Sequence, residues 1–247
     1  MSNSSLVSYT KISPNKSSPR NHAIDKITVH HMAGNFSVEA CGNGFAQASR
    51  QASANYGIGT DGRIALYVDE KDRSWCSGSP DNDHRAVTIE VANSGGSPTW
   101  PVSDKAYAAL IDLCVDICQR NGIAKLNWTG NADGNLTVHR FFQATLCPGP
   151  YLFERMPKFA DEVNARLSKK EENDMVLPLL SKGAEGPTVK AMQALLIANG
   201  CDCGPSGIDG HFGDDTDKAL RQYQKQVYLG QDGKCGPKTW GKLLGVS

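Results

Sequence analysis

Six histidines and eight cysteines are spread over 247 residues, so pairing them with acids is a finite exercise. There is no H-E-x-x-H and no pair of C-x-x-C motifs at zinc-finger spacing. The group whose chemistry can act together is dispersed along the chain. His30 ends a strand-like run, Glu90 interrupts another, His139 follows a loop, and Cys147 lies eight residues further on. A catalytic zinc takes three protein ligands of the N/S type and keeps one position open for water. Two imidazoles and a thiolate meet that need, and a nearby carboxylate can accept the proton of the activated water. The competing reading is a core histidine with inert thiols, because both residue types are often buried.

The elements that must position these groups are legible as pattern. Ile24 to His30 alternates like a strand and delivers His30 and His31 at its C-terminal end. Ser37 to Gln51 reads as a helix capped by Ser37, weakened by Gly42 and Gly44. Two strands are expected around the turn Thr60-Asp61-Gly62-Arg63, one near Tyr56–Gly59 and one over Ile64–Val68. Ala86 to Ala92 is a strand with Glu90 as its single acid. Ser103 to Arg120 is the clearest helix, closed by Asn121-Gly122. A long loop, Lys125 to Thr137, leads to Val138-His139, and Tyr151 to Lys169 is another amphipathic helix. Strands mixed with helices in this order predict an α/β fold, a mixed central sheet flanked by helices. The first 20 residues, polar and carrying Pro14 and Pro19, are expected to be a loosely ordered arm.

The local sequences narrow the chemistry. Thr28-Val29-His30-His31-Met32-Ala33-Gly34, Asn55-Tyr56-Gly57-Ile58-Gly59, Val87 to Asn93, and Val138 to Gly149 with its H-x7-C-P-G ending occur in one order. Together they resemble the zinc-dependent N-acetylmuramoyl-L-alanine amidases of the phage-lysozyme and peptidoglycan-recognition type, over about residues 12 to 167. The resemblance implies Zn2+ as cofactor, with His30, His139 and Cys147 as its ligands. It implies Glu90 as general base, Tyr56 as a site tyrosine, and His31 as a wall residue toward substrate. Many phage members have Lys two residues before the cysteine ligand, whereas this chain has Thr145, whose hydroxyl can hydrogen-bond an oxyanion without bringing charge. Arg140, beside a ligand, is the charged alternative. Bottom-up, Glu90 among Val, Ile and Ala is costly to bury without a partner, which fits a cleft-facing position.

Past the charge run Ser168 to Asp174 the composition shifts and an internal repeat appears. Asp209-Gly210-His211-Phe212-Gly213-Asp214-Asp215-Thr216 recurs 23 residues later as Asp232-Gly233-Lys234-Cys235-Gly236-Pro237-Lys238-Thr239, with Leu220 and Leu243 four residues past each Thr. The pattern D-G-x-x-G-x-x-T is a turn leading into a helix. With Val189, Met192, Leu195 and Leu196 on one helical face, it predicts a small all-α second domain of three helices. This part, with Trp240, resembles the three-helix peptidoglycan-binding module. The expected division is an amidase domain over 1–168, a linker over 169–178 and a binding domain over 179–247. Cys201, Cys203, His211 and Cys235 offer a rival metal site, or a disulfide from Cys201 or Cys203 to Cys235, while Cys114 and Cys118 read as packed thiols.

Composition sets the outer bounds. Lys+Arg and Asp+Glu balance at 26 each, with 18 basic and 16 acidic residues through Lys170 and 8 against 10 beyond it. Neither part has the basic excess of a nucleic-acid binder. No apolar run approaches the roughly 18 residues of a membrane span, and Met1 to Lys26 lacks the apolar core of a secretory signal. The expected partner is bacterial peptidoglycan, with no nucleic acid and no membrane, oligomeric state being left open. The expected protein is made in the cytoplasm and reaches the cell wall by phage-lysin-like release or outside the cell. The alternatives are a non-catalytic wall-recognition protein and an amidase of soluble muropeptides.

Overall fold

Ile27 and Val29 on one run, Val87, Ile89 and Val91 on another, are completely buried and lie in two neighbouring parallel strands. The computed structural model describes residues 2–174 and 177–245, without the side chains of residues 169–174. It divides into two compact units, Met1–Glu171 and Glu172–Ser247.

Among the described residues the first unit holds eight strands. They are β1 (Val7–Thr10), β2 (Lys16–Ser17), β3 (Lys26–His31), β4 (Tyr56–Ile58), β5 (Ile64–Leu66), β6 (Arg73–Ser74), β7 (Ala86–Val91) and β8 (Leu136–Val138). Six of them form one mixed sheet in the order β1-β5-β4-β7-β3-β8, in which only the β4–β5 pair is antiparallel; β2 and β6 pair separately. The helices are α1 (Val38–Phe45), α2 (Pro80–Arg85), α3 (Asp104–Asn121) and α4 (Pro150–Asp174). Ser37 and Ser103 cap α1 and α3 as expected, each accepting a backbone N–H three residues on, and Gly122 closes α3 in the left-handed conformation. Alternation divides the sheet's faces. Ile27, Val29, Ile89 and Val91 share one core with Leu110, Leu113 and Ile117 of α3 and Leu152, Met156 and Phe159 of α4. Val38 and Phe45 of α1 pack with Ala65 and Tyr67 in a second cluster. Glu90 and His30, at the intervening positions of β7 and β3, therefore point away from the main core.

Three expectations need correction. The N-terminal segment is not a loose arm. It supplies β1, and its polar residues are hydrogen-bonded to backbone inside the fold. Ser13 Oγ donates to Phe45 O at 2.5 Å, and the buried Arg20 guanidinium donates to the carbonyls of Glu70, Asp72 and His84 at 2.6, 3.0 and 2.8 Å. A polar composition there reflects carbonyls needing donors, because buried polar groups persist where they are paired. Second, the helix after Ser37 stops at Phe45 and gives way to a single 3₁₀ turn at Ala48–Arg50. Third, α4 runs on to Asp174, so the first part of the expected linker is helical in backbone. Its Lys and Glu residues are good helix formers. Met175 and Val176, within that expected linker, lie outside the described residues. Cys114 and Cys118 are buried free thiols, as read from the sequence.

The second unit contains α5 (Pro187–Ala198), α6 (Asp214–Gln226) and α7 (Pro237–Leu244) around Val189, Met192, Leu196, Phe212, Leu220, Tyr223, Trp240 and Leu243. The repeat acquires a cause. The buried Gln193 amide donates to Asp209, His211 O and Thr216 at 2.9, 3.1 and 3.0 Å and accepts Gly210 N–H at 2.9 Å. Gln224 does the same in the second copy with Asp232, Lys234 O, Thr239 and Gly233 N–H. Each turn is thus tied to the preceding helix by one glutamine. Cys201, Cys203 and Cys235 are buried free thiols. With His211 exposed on the surface, they form no metal-ligand cluster among the described residues. Among those residues no helix is long and apolar enough to cross a membrane.

Candidate metal centre

β3, β7 and β8 run parallel, so their C-terminal ends lie along one edge of the sheet, where open α/β sheets carry their ligand sites. β3 ends in His30 and His31; β8 runs directly into a 3₁₀ turn that begins with His139; the following loop returns Cys147. One ligand atom from each of His30, His139 and Cys147 lies within 4.8 Å of the others. His30 Nδ1 and Cys147 Sγ are 3.6 Å apart. Zn–N and Zn–S bonds of about 2.0 and 2.3 Å at tetrahedral angles put N and S about 3.5 Å apart. The donor set and its spacing fit a tetrahedral divalent cation.

The surroundings orient these donors. Gln143 Oε1 lies 3.1 Å from His139 Nε2. An amide oxygen only accepts, so Nε2 carries the proton and Nδ1 keeps its lone pair for a metal. The His31 backbone N–H donates to Cys147 Sγ at 3.5 Å. Burial first, then the neighbouring His139 and His31, hold His30 well below the usual imidazole range, in the neutral form that metals bind. Burial first, then Glu90, push the Cys147 thiol up, while the His31 N–H opposes this. A cation held by these residues would favour the Cys147 thiolate.

Glu90 is in register with His30 across the β3–β7 pair and lines the cleft beside the cluster. Its carboxyl is pushed up to about 8 by burial, against the pull of Arg50, and its Oε2 is buried without a hydrogen-bond partner. The cleft has a volume of about 580 Å³, and its wall includes His31, Phe36, Arg50, Trp75 and Cys76. His31 lines this wall and meets Trp100 edge-on at 5.4 Å.

Three expected site residues belong neither to the ligand clusters nor to the cleft wall. Tyr56 is a correction. β4 pairs with β7 so that Gly57 faces Glu90 while Tyr56 faces Ile89, which puts the tyrosine on the core side of the sheet. Its hydroxyl donates to the buried Glu70 carboxylate at 2.6 Å and accepts Ser4 N–H at 2.9 Å. Thr145 is half-buried, does not line the cleft, and its Oγ1 accepts the Cys147 N–H at 3.2 Å, which shapes the ligand loop. Arg140 is exposed, with its guanidinium 4.4 Å over the Phe153 ring. Sequence reasoning missed Arg50, Trp75 and Cys76. They sit in a 3₁₀ turn and just after a two-residue strand, where no periodicity marks them.

The family profile described as N-acetylmuramoyl-L-alanine amidase matches residues 20–150. A second, described as putative peptidoglycan binding domain, matches residues 185–243. The N-acetylmuramoyl-L-alanine amidase CwlL of Bacillus licheniformis is 25% identical over 201 residues, which cover 75% of this chain and 52% of that protein. A probable N-acetylmuramoyl-L-alanine amidase from the same organism is 24% identical over 213 residues, covering 77% and 56%. The chain spans about half the length of these curated relatives. Among solved structures, PlyL superposes with a TM-score of 0.51 at 18% identity, covering 63% of this chain and 95% of that one. The catalytic domain of XlyA gives 0.50 at 16%, covering 63% and 97%. At these identities the likeness is one of fold.

Proposed function

The chain belongs to the N-acetylmuramoyl-L-alanine amidase family, and from that premise we propose that it hydrolyses the amide between the lactyl group of N-acetylmuramic acid and the L-alanine of the stem peptide. The observation that carries this reading is the meeting of His30, His139 and Cys147 beside a buried, partnerless Glu90 carboxylate oxygen, with His139 and Glu90 lining one open cleft. Two nitrogens and a sulfur suit zinc, which when bound would supply a Lewis acid for the lactyl carbonyl and acidify a water.

The rest is the work of this chain's own groups. Glu90, taken out of bulk water, is a stronger base than an exposed carboxylate. Its free Oε2 accepts the proton of the attacking water and passes it to the departing amide nitrogen, so that the amine leaves neutral. Arg50 on the same wall favours the ionised form of Glu90. Gln143 and Thr145 hold the ligand residues, through the His139 ring and the Cys147 backbone. The second unit, which matches the peptidoglycan-binding profile, keeps the first on its insoluble substrate and raises the local concentration of cleavable bonds.

The test is digestion of purified peptidoglycan by the wild type and Glu90→Ala. New L-alanine amino termini with the wild type, and their loss with the variant, support the reading. New reducing sugars in their place exclude amidase chemistry, and no release of either kind leaves a wall-recognition protein.

A further inference from the structure

Cys76 has no part in the mechanism above, and its position gives it a consequence. It follows β6, where its backbone N–H donates to Asp83 Oδ2 at 3.0 Å, which fixes the loop that carries the thiol to the cleft wall. There, Cys76 Sγ, a ring nitrogen of His30 and a carboxylate oxygen of Glu90 all lie within 4.8 Å of one another. Two atoms of these residues, His30 Nε2 and Glu90 Oε2, are buried without any hydrogen-bond partner. Burying such groups unpaired is costly. His30 presents Nδ1 to Cys147, which leaves its other ring nitrogen unused.

We propose that His30, Cys76 and Glu90 form a second cation position, adjoining the first and sharing His30 with it, for a borderline-soft divalent ion such as zinc. One nitrogen, one thiolate and one carboxylate oxygen are a donor set that zinc accepts, with the cleft supplying water as the fourth ligand. Uptake there releases the Cys76 thiol proton and the remaining ring proton of His30. It also engages a Glu90 carboxylate oxygen, which makes that carboxylate a weaker acceptor for the proton of the attacking water. The second position is therefore inhibitory, a consequence that rests on the function proposed above, whereas the cation position itself does not.

The experiment counts zinc bound to the metal-stripped full chain by native mass spectrometry as buffered free zinc is raised. The wild type takes up two equivalents; Cys76→Ser and Cys76→Ala each take up one. Cys41→Ser, which removes a cleft thiol outside both clusters, keeps two. With cobalt(II), the thiolate-to-metal absorption of the saturated wild type exceeds that of Cys76→Ser by one thiolate's share. A single equivalent in the wild type, or two in both Cys76 variants, overturns the second position and leaves the first standing. No bound zinc at all overturns both. Amide hydrolysis by the wild type falls as the second equivalent fills, and in Cys76→Ser it does not. Two equivalents with undiminished hydrolysis overturn the inhibitory role and the part given to Glu90.

Discussion

Replacing Gln143 by Ala removes the acceptor that orients His139, without touching any metal-ligand atom. The Gln143 Oε1 to His139 Nε2 distance of 3.1 Å is an ordinary hydrogen bond at an exposed rim. Outer partners of ligating histidines are typically worth about 10- to 100-fold in metal affinity. Solvent access at this rim puts Gln143→Ala at the low end, about tenfold or about 1.4 kcal/mol. Gly78 offers a second way to break the same contact. Its φ is +73°, and a Cβ there would stand 2.0 Å from Gln143 Nε2, so the amide must move away. Gly78→Ala should therefore weaken zinc binding to a similar degree. The double variant should be little worse than either single one, because both act through one bond. Competition with a chromogenic chelator measures all three constants. Unchanged affinity in Gln143→Ala, or losses that simply add in the double variant, refutes the assignment of Gln143 as the residue that sets the His139 ring.

Stripping the cation with a chelator should abolish amide hydrolysis, and about one equivalent of added zinc should restore it in the wild type but not in Cys147→Ser. Tyr56→Phe should cost about 2 kcal/mol in a urea unfolding experiment, since a hydroxyl donating to a buried carboxylate is lost. Its turnover on peptidoglycan should hold, and a large fall in kcat at unchanged stability would return Tyr56 to the catalytic set. Gln224→Ala strands the Gly233 N–H and takes one donor each from Asp232 Oδ1 and Thr239 Oγ1, at a cost of about 2 kcal/mol. Its effect should appear as lost sedimentation with insoluble peptidoglycan, while cleavage of soluble muropeptides persists.

Much of this protein is written in short-range pattern. Alternation over Ile27 to His31 and Val87 to Val91 marks the strands and requires His30 and Glu90 to face away from Val29 and Ile89. Ser103 and Gly122 bound α3 through contacts within a few residues. The D-G-x-x-G-x-x-T copies announce two matching turns, each followed by a helix. The N-terminal segment misled for a related reason: its serines, Asn15 and Arg20 are as polar as a solvated arm, and their acceptors lie 30 to 66 residues away. The glutamines that anchor the two turns were equally silent, since one lies 16 residues before its aspartate and the other 8.

The amino-acid order by itself determined which groups are present and which face of its own strand each one takes, because those follow from backbone geometry over two to four residues. Which strand lies alongside, and in what register, it did not determine. The pairing of Gly57 rather than Tyr56 with Glu90 sent the tyrosine into the core. The fold alone brought Cys76 from one loop and Arg50 from another to the same wall as Glu90. Such placements depend on contacts between segments far apart in the chain, and these come into being only when the sheet assembles.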